Sequence, residues 1–239
     1  MATPTPPLER LPTHIEGLDE ALQGGIPKGA IVLVTGTPGT YKTSLTFSIF
    51  YQNVKAGMKG LYITLEEGHE HLKSAMEHLG MTGIDNMDLF ILDVSKIRLE
   101  HREEELQKNW MDILQKYISQ RVKANKFDMV AVDSLFALYA LNPMSNQRRE
   151  LFHFFGFLKG LGATTFLISE RPHGTGKLAA YDEDFLSDGV ILLNQHEHGD
   201  AEVQVRLRIV KMRKTKHPHG WLALIHQKDR FAAKPIIRE

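Results

Sequence analysis

The chain has 239 residues, with 29 Lys or Arg, 29 Asp or Glu and no Cys. The balanced charge provides no overall basic field that would favour nucleic acid or an anionic membrane surface. Without cysteine the chain can form no disulfide, thiolate metal site or cysteine nucleophile. No apolar run approaches the roughly 20 residues that span a bilayer, and the N-terminus lacks the apolar h-region of a signal peptide, so we expect a cytoplasmic protein without membrane contact.

The N-terminal segment, rich in Pro and Thr, predicts a flexible tail at residues 1–10, followed by one domain at residues 11–239. In the first half of the chain, short apolar runs alternate with helical patterns. The predicted elements are a strand at Ala30–Thr35, a helix at Ser44–Ala56, a strand at Gly60–Leu65, a helix from about His69 to Leu79 and a strand at Leu89–Val94.

The second half continues the alternation and then changes its period. An apolar helical stripe is formed by Leu106, Trp110, Ile113, Leu114, Tyr117 and Ile118. Further predicted elements are strands at Met129–Asp133, Ala163–Ser169 and Val190–Leu193 and a helix around Arg149–Gly160. From Val203 apolar and polar residues alternate, which is typical of antiparallel strands. We therefore predict an α/β fold with a mostly parallel twisted sheet flanked by helices and antiparallel strands at its C-terminal edge.

A phosphate-binding loop is predicted at residues 36–43, GTPGTYKT, between a predicted strand and a predicted helix. In such a loop the backbone N–H groups face the phosphates, Lys42 neutralises their charge and the Thr43 hydroxyl ligates Mg²⁺. The usual pattern has glycine before the lysine, where this chain has Tyr41, so the tyrosine side chain has to point away from the phosphates. The alternative is a Gly/Pro turn that happens to contain Lys-Thr.

Acidic residues follow two other predicted strands. Asp133 ends the run MVAVD, and an aspartate in that position can hold Mg²⁺ beside the phosphate loop. Glu66 and Glu67 end the run GLYITL, at the edge of a parallel sheet where ligands bind. One carboxylate of this pair can orient or deprotonate an attacking water. A solvated helix N-terminus, where the dipole favours Glu, explains the pair equally well.

A pair of cations, Lys211 and Arg213, ends the alternating segment. Residues two apart on a strand point to the same face, so the pair could address one anion and supply charge to a transition state. A plain solvated strand end is the commoner meaning of a run such as KMRKTKH.

In this order, these motifs resemble the KaiC-like branch of the RecA/RadA P-loop ATPases. The resemblance covers about residues 10–220. It includes the lead-in segment from Ile15 to Gly29 and stretches similar to the cyanobacterial clock ATPase at 148–152, 162–165, 169–171 and 185–188. It implies a RecA-like P-loop NTPase fold with ATP and Mg²⁺ as ligands.

The resemblance also implies roles for individual residues. The phosphates of ATP would be wrapped by Thr37, Pro38, Gly39, Thr40, Tyr41, Lys42, Thr43 and Ser44. Glu66 and Glu67 match the paired catalytic glutamates of the family, and Asp133 matches the acid that holds Mg²⁺ together with Thr43. The resemblance thus favours the catalytic interpretation of the glutamate pair.

In the ring hexamers of this family, a Lys-x-Arg after a late strand reaches the nucleotide of the neighbouring subunit. Lys211, Met212 and Arg213 match that motif, and Thr215 and His217 match the Thr-x-His that follows it. The resemblance therefore implies a homo-oligomer, a hexameric ring, with active sites between subunits. The clock ATPase has two fused copies of the domain and this chain has one. Its phosphorylation pair is replaced here by Asp184 and Phe185, so self-phosphorylation is not implied.

The favoured function is a slow, magnesium-dependent ATPase that acts as a ring in signalling or regulation, with a protein partner. A second hypothesis is a RecA/RadA-like protein that binds DNA in recombination or repair, against which the neutral net charge argues. A third is an adaptor that binds ATP without turnover, which Tyr41 supports.

Overall fold

The computed structural model describes residues 7–94, 110–141, 146–198 and 202–236. The strands are β1 (Arg10–Leu11), β2 (Ile26–Pro27), β3 (Ile31–Gly36), β4 (Gly60–Thr64), β5 (Leu89–Asp93), β6 (Met129–Asp133), β7 (Thr164–Glu170), β8 (Gly189–His198), β9 (Glu202–Met212), β10 (Leu222–Gln227) and β11 (Arg230–Pro235). The helices are α1 (Leu18–Ala21), α2 (Lys42–Lys55), α3 (His69–His78), α4 (Trp110–Asn125), α5 (Leu135–Leu141), α6 (Gln147–Gly160) and α7 (Glu183–Leu186), with a 3₁₀ turn at Ile84–Asn86.

Nine strands form one sheet in the order β11-β10-β9-β8-β3-β7-β6-β4-β5, and β1 pairs with β2. The six strands from β8 to β5 run parallel, whereas β9, β10 and β11 are antiparallel to their neighbours. The predicted fold class, a mostly parallel sheet with antiparallel strands at the C-terminal edge, is confirmed.

The central strands are apolar throughout because helices cover both faces of the sheet. All six residues of β3 are buried. Its side chains alternate between two cores: Val32 and Val34 pack on the side of α2, whereas Ile31 and Leu33 pack on the side of α4 and α6. The helical stripe predicted from Leu106 onward corresponds to α4 from Trp110, and Leu106 itself lies outside the described residues.

Several boundaries differ from those expected. Arg10, assigned to the N-terminal tail, lies in β1, and its guanidinium donates hydrogen bonds to Gly25 O at 2.9 Å and to Thr215 Oγ1 at 2.9 Å. Strand β8 continues past Leu193 to His198, because its later residues pair with β9 in an antiparallel hairpin. In the described ranges no helix has both the length and the apolar character needed to cross a membrane.

Candidate functional site

The carboxyl ends of four neighbouring parallel strands form one edge of the sheet. Register pairs Gly36 with Glu170 across β3 and β7, and Thr64 with Asp133 across β4 and β6. The predicted phosphate loop and the predicted acids therefore meet at the edge where ligands bind in open α/β sheets. We call this the loop edge.

The loop at residues 37–41 connects β3 to the N-terminus of α2. Thr40 Oγ1 donates a hydrogen bond to Thr37 O at 2.7 Å, and Lys42 Nζ donates one to the same carbonyl at 3.0 Å. The first turn of α2 contains no acidic residue. Its free backbone N–H groups and the positive end of the helix dipole therefore favour an anion.

Tyr41, at the position of the usual glycine, has left-handed backbone torsions of φ 66° and ψ 23°. For a side chain other than glycine this conformation costs roughly 1–2 kcal/mol. The tyrosine ring packs against Phe231 of β11, with ring centroids 5.8 Å apart, and is 43% exposed. The backbone thus keeps the conformation that glycine would supply, and the ring is turned toward the hairpin of β10 and β11.

Asp133 is 8% exposed at the end of β6. Its Oδ2 accepts a hydrogen bond from the hydroxyl of Tyr62 at 2.7 Å, and its carboxylate also bonds the side chain of Thr43. Burial raises the pKa of Asp133 to about 6; these two hydrogen bonds oppose the shift, and the charges of Glu66 and Glu67 add to it. A hydroxyl and a carboxylate side by side are the hard oxygen donors that Mg²⁺ prefers, so Thr43 and Asp133 fit this ion.

The two glutamates after β4 have different surroundings, although both are exposed. The carboxylate of Glu66 accepts a short hydrogen bond from the hydroxyl of Ser134, the residue after Asp133. The carboxylate of Glu67 lies 3.6 Å from His71 Nδ1 on α3. Glu66 is thereby held toward Lys42, and its negative charge acts to raise the pKa of that lysine. Glu67 is held toward α3.

Charge at the loop edge is predominantly negative. Burial lowers the pKa of Lys42, although the nearby carboxylates of Glu170, Asp133 and Glu66 act to raise it. Three carboxylates therefore act on this lysine, and the charge of Glu67 acts on Asp133. A triphosphate at the loop would therefore need additional positive charge from elsewhere.

Lys211 and Arg213 lie at the opposite edge of the sheet. Lys211 pairs with Val190 at the start of β8, whereas Gly36 of the loop edge pairs with Leu193 further along the same strand. Lys211 Nζ donates hydrogen bonds to Ser187 O at 2.6 Å and to Asp184 O at 2.9 Å. Burial lowers the pKa of Lys211, and so does the charge of Arg213. We call this region the cation edge.

Asp188 organises the cation edge. Its carboxylate accepts hydrogen bonds from the backbone N–H of Ile31 at 3.0 Å, from Arg213 at 3.2 Å and, at shorter distance, from Lys159. Burial would raise the pKa of Asp188, but these hydrogen bonds outweigh it, and the pKa lies below its ordinary value. The two cations predicted to act on a nucleotide are thus ordered by contacts within their own chain.

The other residues predicted in the Lys-x-Arg region, Met212, Thr215 and His217, have different surroundings. The side chain of Met212 is 4% exposed and packs in the core beside Gly189, so its main chain is what remains for a ligand. Thr215 is partly buried and bonds Arg10. His217 lies beyond it, with its ring 5.2 Å from that of His219. None of these three side chains contacts the phosphate loop of its own chain among the described interactions.

A comparison with known protein families matches residues 11–228 to the model of the KaiC ATPase. The chain belongs to the KaiC ATPase family. It is 31% identical over 220 residues to the circadian clock oscillator protein KaiC of Picosynechococcus sp. and 32% identical over 220 residues to that of Synechococcus elongatus. Each match covers 89% of this chain and 42% of the relative, so the chain spans less than half of their length.

A solved structure supports the same family. A KaiC-like protein from the hyperthermophilic archaeon Pyrococcus horikoshii OT3 matches with a TM-score of 0.80 and 28% identity. The match covers 96% of this chain and all of that one. The prediction of a KaiC-like, RecA-type ATPase domain is confirmed, and ATP binding and ATPase activity are properties of the family.

Three residues beside this KaiC-type loop were not among the predicted site residues. Glu170 ends β7 as Asp133 ends β6, and that shared pattern of an apolar run closed by an acid was a usable signal. Ser134 follows the predicted aspartate directly. Tyr62 lies inside a strand, and only the adjacency of β4 and β6 shows that its hydroxyl reaches Asp133.

Proposed function

We propose that this protein is a magnesium-dependent ATPase that assembles as a ring, with each site formed by the loop edge of one copy and the cation edge of the next. The ATPase assignment rests on the KaiC family. Magnesium dependence is supported by the Thr43–Asp133 pair, and the three carboxylates that act on Lys42 create a need for the divalent charge.

The observation that carries the shared site is the separation of the two edges. Through β8, Lys211 is level with Leu33 of β3, three residues before Gly36, which at about 3.3 Å per residue is about 10 Å. Arg213 lies further back, since its backbone N–H bonds Asp188 O. The two side chains are bonded at that end, to Ser187 O and to Asp188, and therefore point away from a nucleotide held by their own loop. A second copy can supply both cations to a loop edge that lacks positive charge, as the resemblance to ring-forming members implies.

We assign the following chemistry to this chain's own residues, and the geometry supports the assignment. Backbone N–H groups of the loop and the charge of Lys42 hold the phosphates. Glu66, oriented by Ser134, positions and deprotonates the attacking water. A bound Mg²⁺ would supply charge neutralisation of the phosphate oxygens. Arg213 and Lys211 of the adjacent copy stabilise the charge that develops in the transition state.

Complementation tests the shared site directly. Glu66→Gln and Arg213→Ala should each abolish hydrolysis alone. Mixing them one to one before assembly should restore about one quarter of the wild-type rate, since random assembly joins an intact loop edge to an intact Arg213 at about one interface in four. A mixture as inactive as its components contradicts the proposal.

Calorimetric titration with ATP, followed by phosphate release from the same sample, tests the ATPase itself. Binding with release of phosphate supports the proposal; binding without release favours the adaptor. We further propose a role in signalling or regulation, because the net charge is neutral and offers no support for a DNA-binding role. Salt-dependent affinity for single-stranded DNA, with a steep log–log slope, would contradict that choice.

A further inference from the structure

Tyr62 is a fully buried tyrosine in the middle of β4. Its hydroxyl donates a hydrogen bond to Asp133 Oδ2 at 2.7 Å. Its single proton is therefore directed at the acid that fits Mg²⁺.

The ring of Tyr62 contacts the helix that carries the phosphate loop. Its centroid lies 5.2 Å from that of Phe47 and 5.6 Å from that of Phe50, and both phenylalanines are on α2. Because α2 begins at Lys42 and Thr43, one side chain joins the two halves of the proposed magnesium site. The ring packs against the helix that presents Thr43, and the hydroxyl holds Asp133.

Core packing alone does not explain why residue 62 carries a hydroxyl. Phenylalanine would pack almost the same volume without the cost of burying a polar group. A buried hydrogen bond to a charged acceptor contributes more than one to a neutral acceptor, and the acceptor is penalised if the donor is removed. The bond also restricts rotation of the carboxylate, so that the carboxylate keeps its second contact with Thr43.

We propose that Tyr62 is a positioning residue for magnesium–nucleotide binding: it holds the Asp133 carboxylate in line with Thr43 and ties that carboxylate to the phosphate-loop helix. The inference rests on the proposed function, because it assigns Tyr62 a role toward the ion at the same site. Residues that orient metal ligands from behind typically change metal affinity by about 10–100-fold when removed.

The test compares Tyr62→Phe with a matched control, Tyr51→Phe. Tyr51 is 4% exposed on α2, and its hydroxyl donates to Thr82 O at 2.9 Å, away from the loop edge. Each substitution removes one buried hydroxyl and one hydrogen bond. ATP binding is measured by calorimetry first in EDTA and then across a Mg²⁺ titration, with thermal unfolding recorded for every variant.

Tyr62→Phe should bind ATP in EDTA within about threefold of the wild type but need about tenfold or more Mg²⁺ to reach half of the magnesium-induced gain in affinity. Tyr51→Phe should lose less thermal stability, because its hydroxyl bonds a neutral carbonyl, and should keep the wild-type Mg²⁺ dependence. Equal Mg²⁺ dependence in Tyr62→Phe and the wild type overturns the positioning role. A wild type that does not bind ATP overturns the proposed function as well.

If Tyr62→Phe does not fold, the double variant Tyr62→Phe/Asp133→Asn decides the question. The asparagine removes the buried charge that has lost its donor. If the double variant folds, the Tyr62 hydroxyl acts through the Asp133 carboxylate, which supports the positioning role. If the double variant stays unfolded, the hydroxyl is needed for packing of the core, which overturns that role.

Discussion

The loop edge and the cation edge have opposite charge imbalances. At the loop edge, Lys42 is partly buried, and three carboxylates act on it. At the cation edge, Lys211 is bonded to backbone carbonyls, and Arg213 and Lys159 share the carboxylate of Asp188. Each edge therefore lacks the charge that the other has in excess. Because the side chains of Lys211 and Arg213 are bonded away from the loop of their own chain, we propose that this complementarity is satisfied between copies.

The largest effect is expected at the cation edge. Arg213→Ala should lower ATP turnover by about 1,000-fold, because a transition-state arginine contributes about 10³–10⁵ in rate. Folding should be little affected, since Asp188 keeps its bonds from Lys159 and Ile31. Steady-state phosphate release measures the loss. The matched control is Arg230→Ala, an exposed arginine on β11 paired with Asp229; a loss of similar size there would remove the argument for a special cation edge.

The next effect distinguishes the two glutamates of the loop edge. Glu66→Gln should lower turnover by about 100-fold or more while ATP affinity stays within a few fold, as expected for loss of a general base. Glu67→Gln should lower turnover less, because its carboxylate faces His71 on α3. Single-turnover hydrolysis with calorimetric binding measures both. If Glu67→Gln proves the more damaging change, Ser134 does not select the base.

Asp133 gives the loop edge a predictable pH dependence. Its pKa is raised in the folded protein from 3.8 to about 6, so its protonated form stabilises the fold. That contribution is complete below about pH 4 and is lost as the pH rises through 6. Asp133→Asn should therefore unfold at higher denaturant than the wild type at pH 8, by no more than about 3 kcal/mol, and match it near pH 4. Denaturant unfolding without nucleotide at both pH values is the measurement.

If Asp133→Asn exceeds the wild type in free energy of unfolding by the same amount at pH 4 and pH 8, burial of the charge is not the cause. If the excess is larger at pH 4, the pKa of Asp133 is not raised in the folded protein. The variant should bind Mg²⁺–ATP more weakly in either case, because the carboxylate is lost.

The smallest effect is expected at Tyr41. Tyr41→Gly removes a left-handed backbone cost of roughly 1–2 kcal/mol and also removes a ring contact with Phe231 worth about 0.5–1.5 kcal/mol. Stability should therefore change by less than about 1 kcal/mol, and ATP affinity by less than about threefold. Tyr41→Ala, which removes the ring contact but keeps the left-handed backbone cost, is the companion variant. A large gain in ATP affinity for Tyr41→Gly would show that the tyrosine hinders the loop edge.

The residues of the loop edge were predictable in kind because each one follows from a local pattern. An apolar run that ends in an acid identified Asp133, and a glycine-rich turn between a strand and a helix identified Lys42 and Thr43. The same pattern could have identified Glu170. The assignment of Arg10 to the tail was wrong because its pairing partner, β2, is too short to leave a periodic signal.

By itself the sequence determined the central strands, the main helices, the α/β class and the chemical types at the phosphate loop, because burial on both faces and turn geometry act over a few residues. Only the tertiary structure decided that β4 lies beside β6, which brings Tyr62 to Asp133, and that Lys211 and Arg213 lie beside the start of β8, away from the loop edge. Strand order is set by packing and pairing between segments distant in the chain. A single sequence contains no local pattern that indicates which distant residues become neighbours in this way.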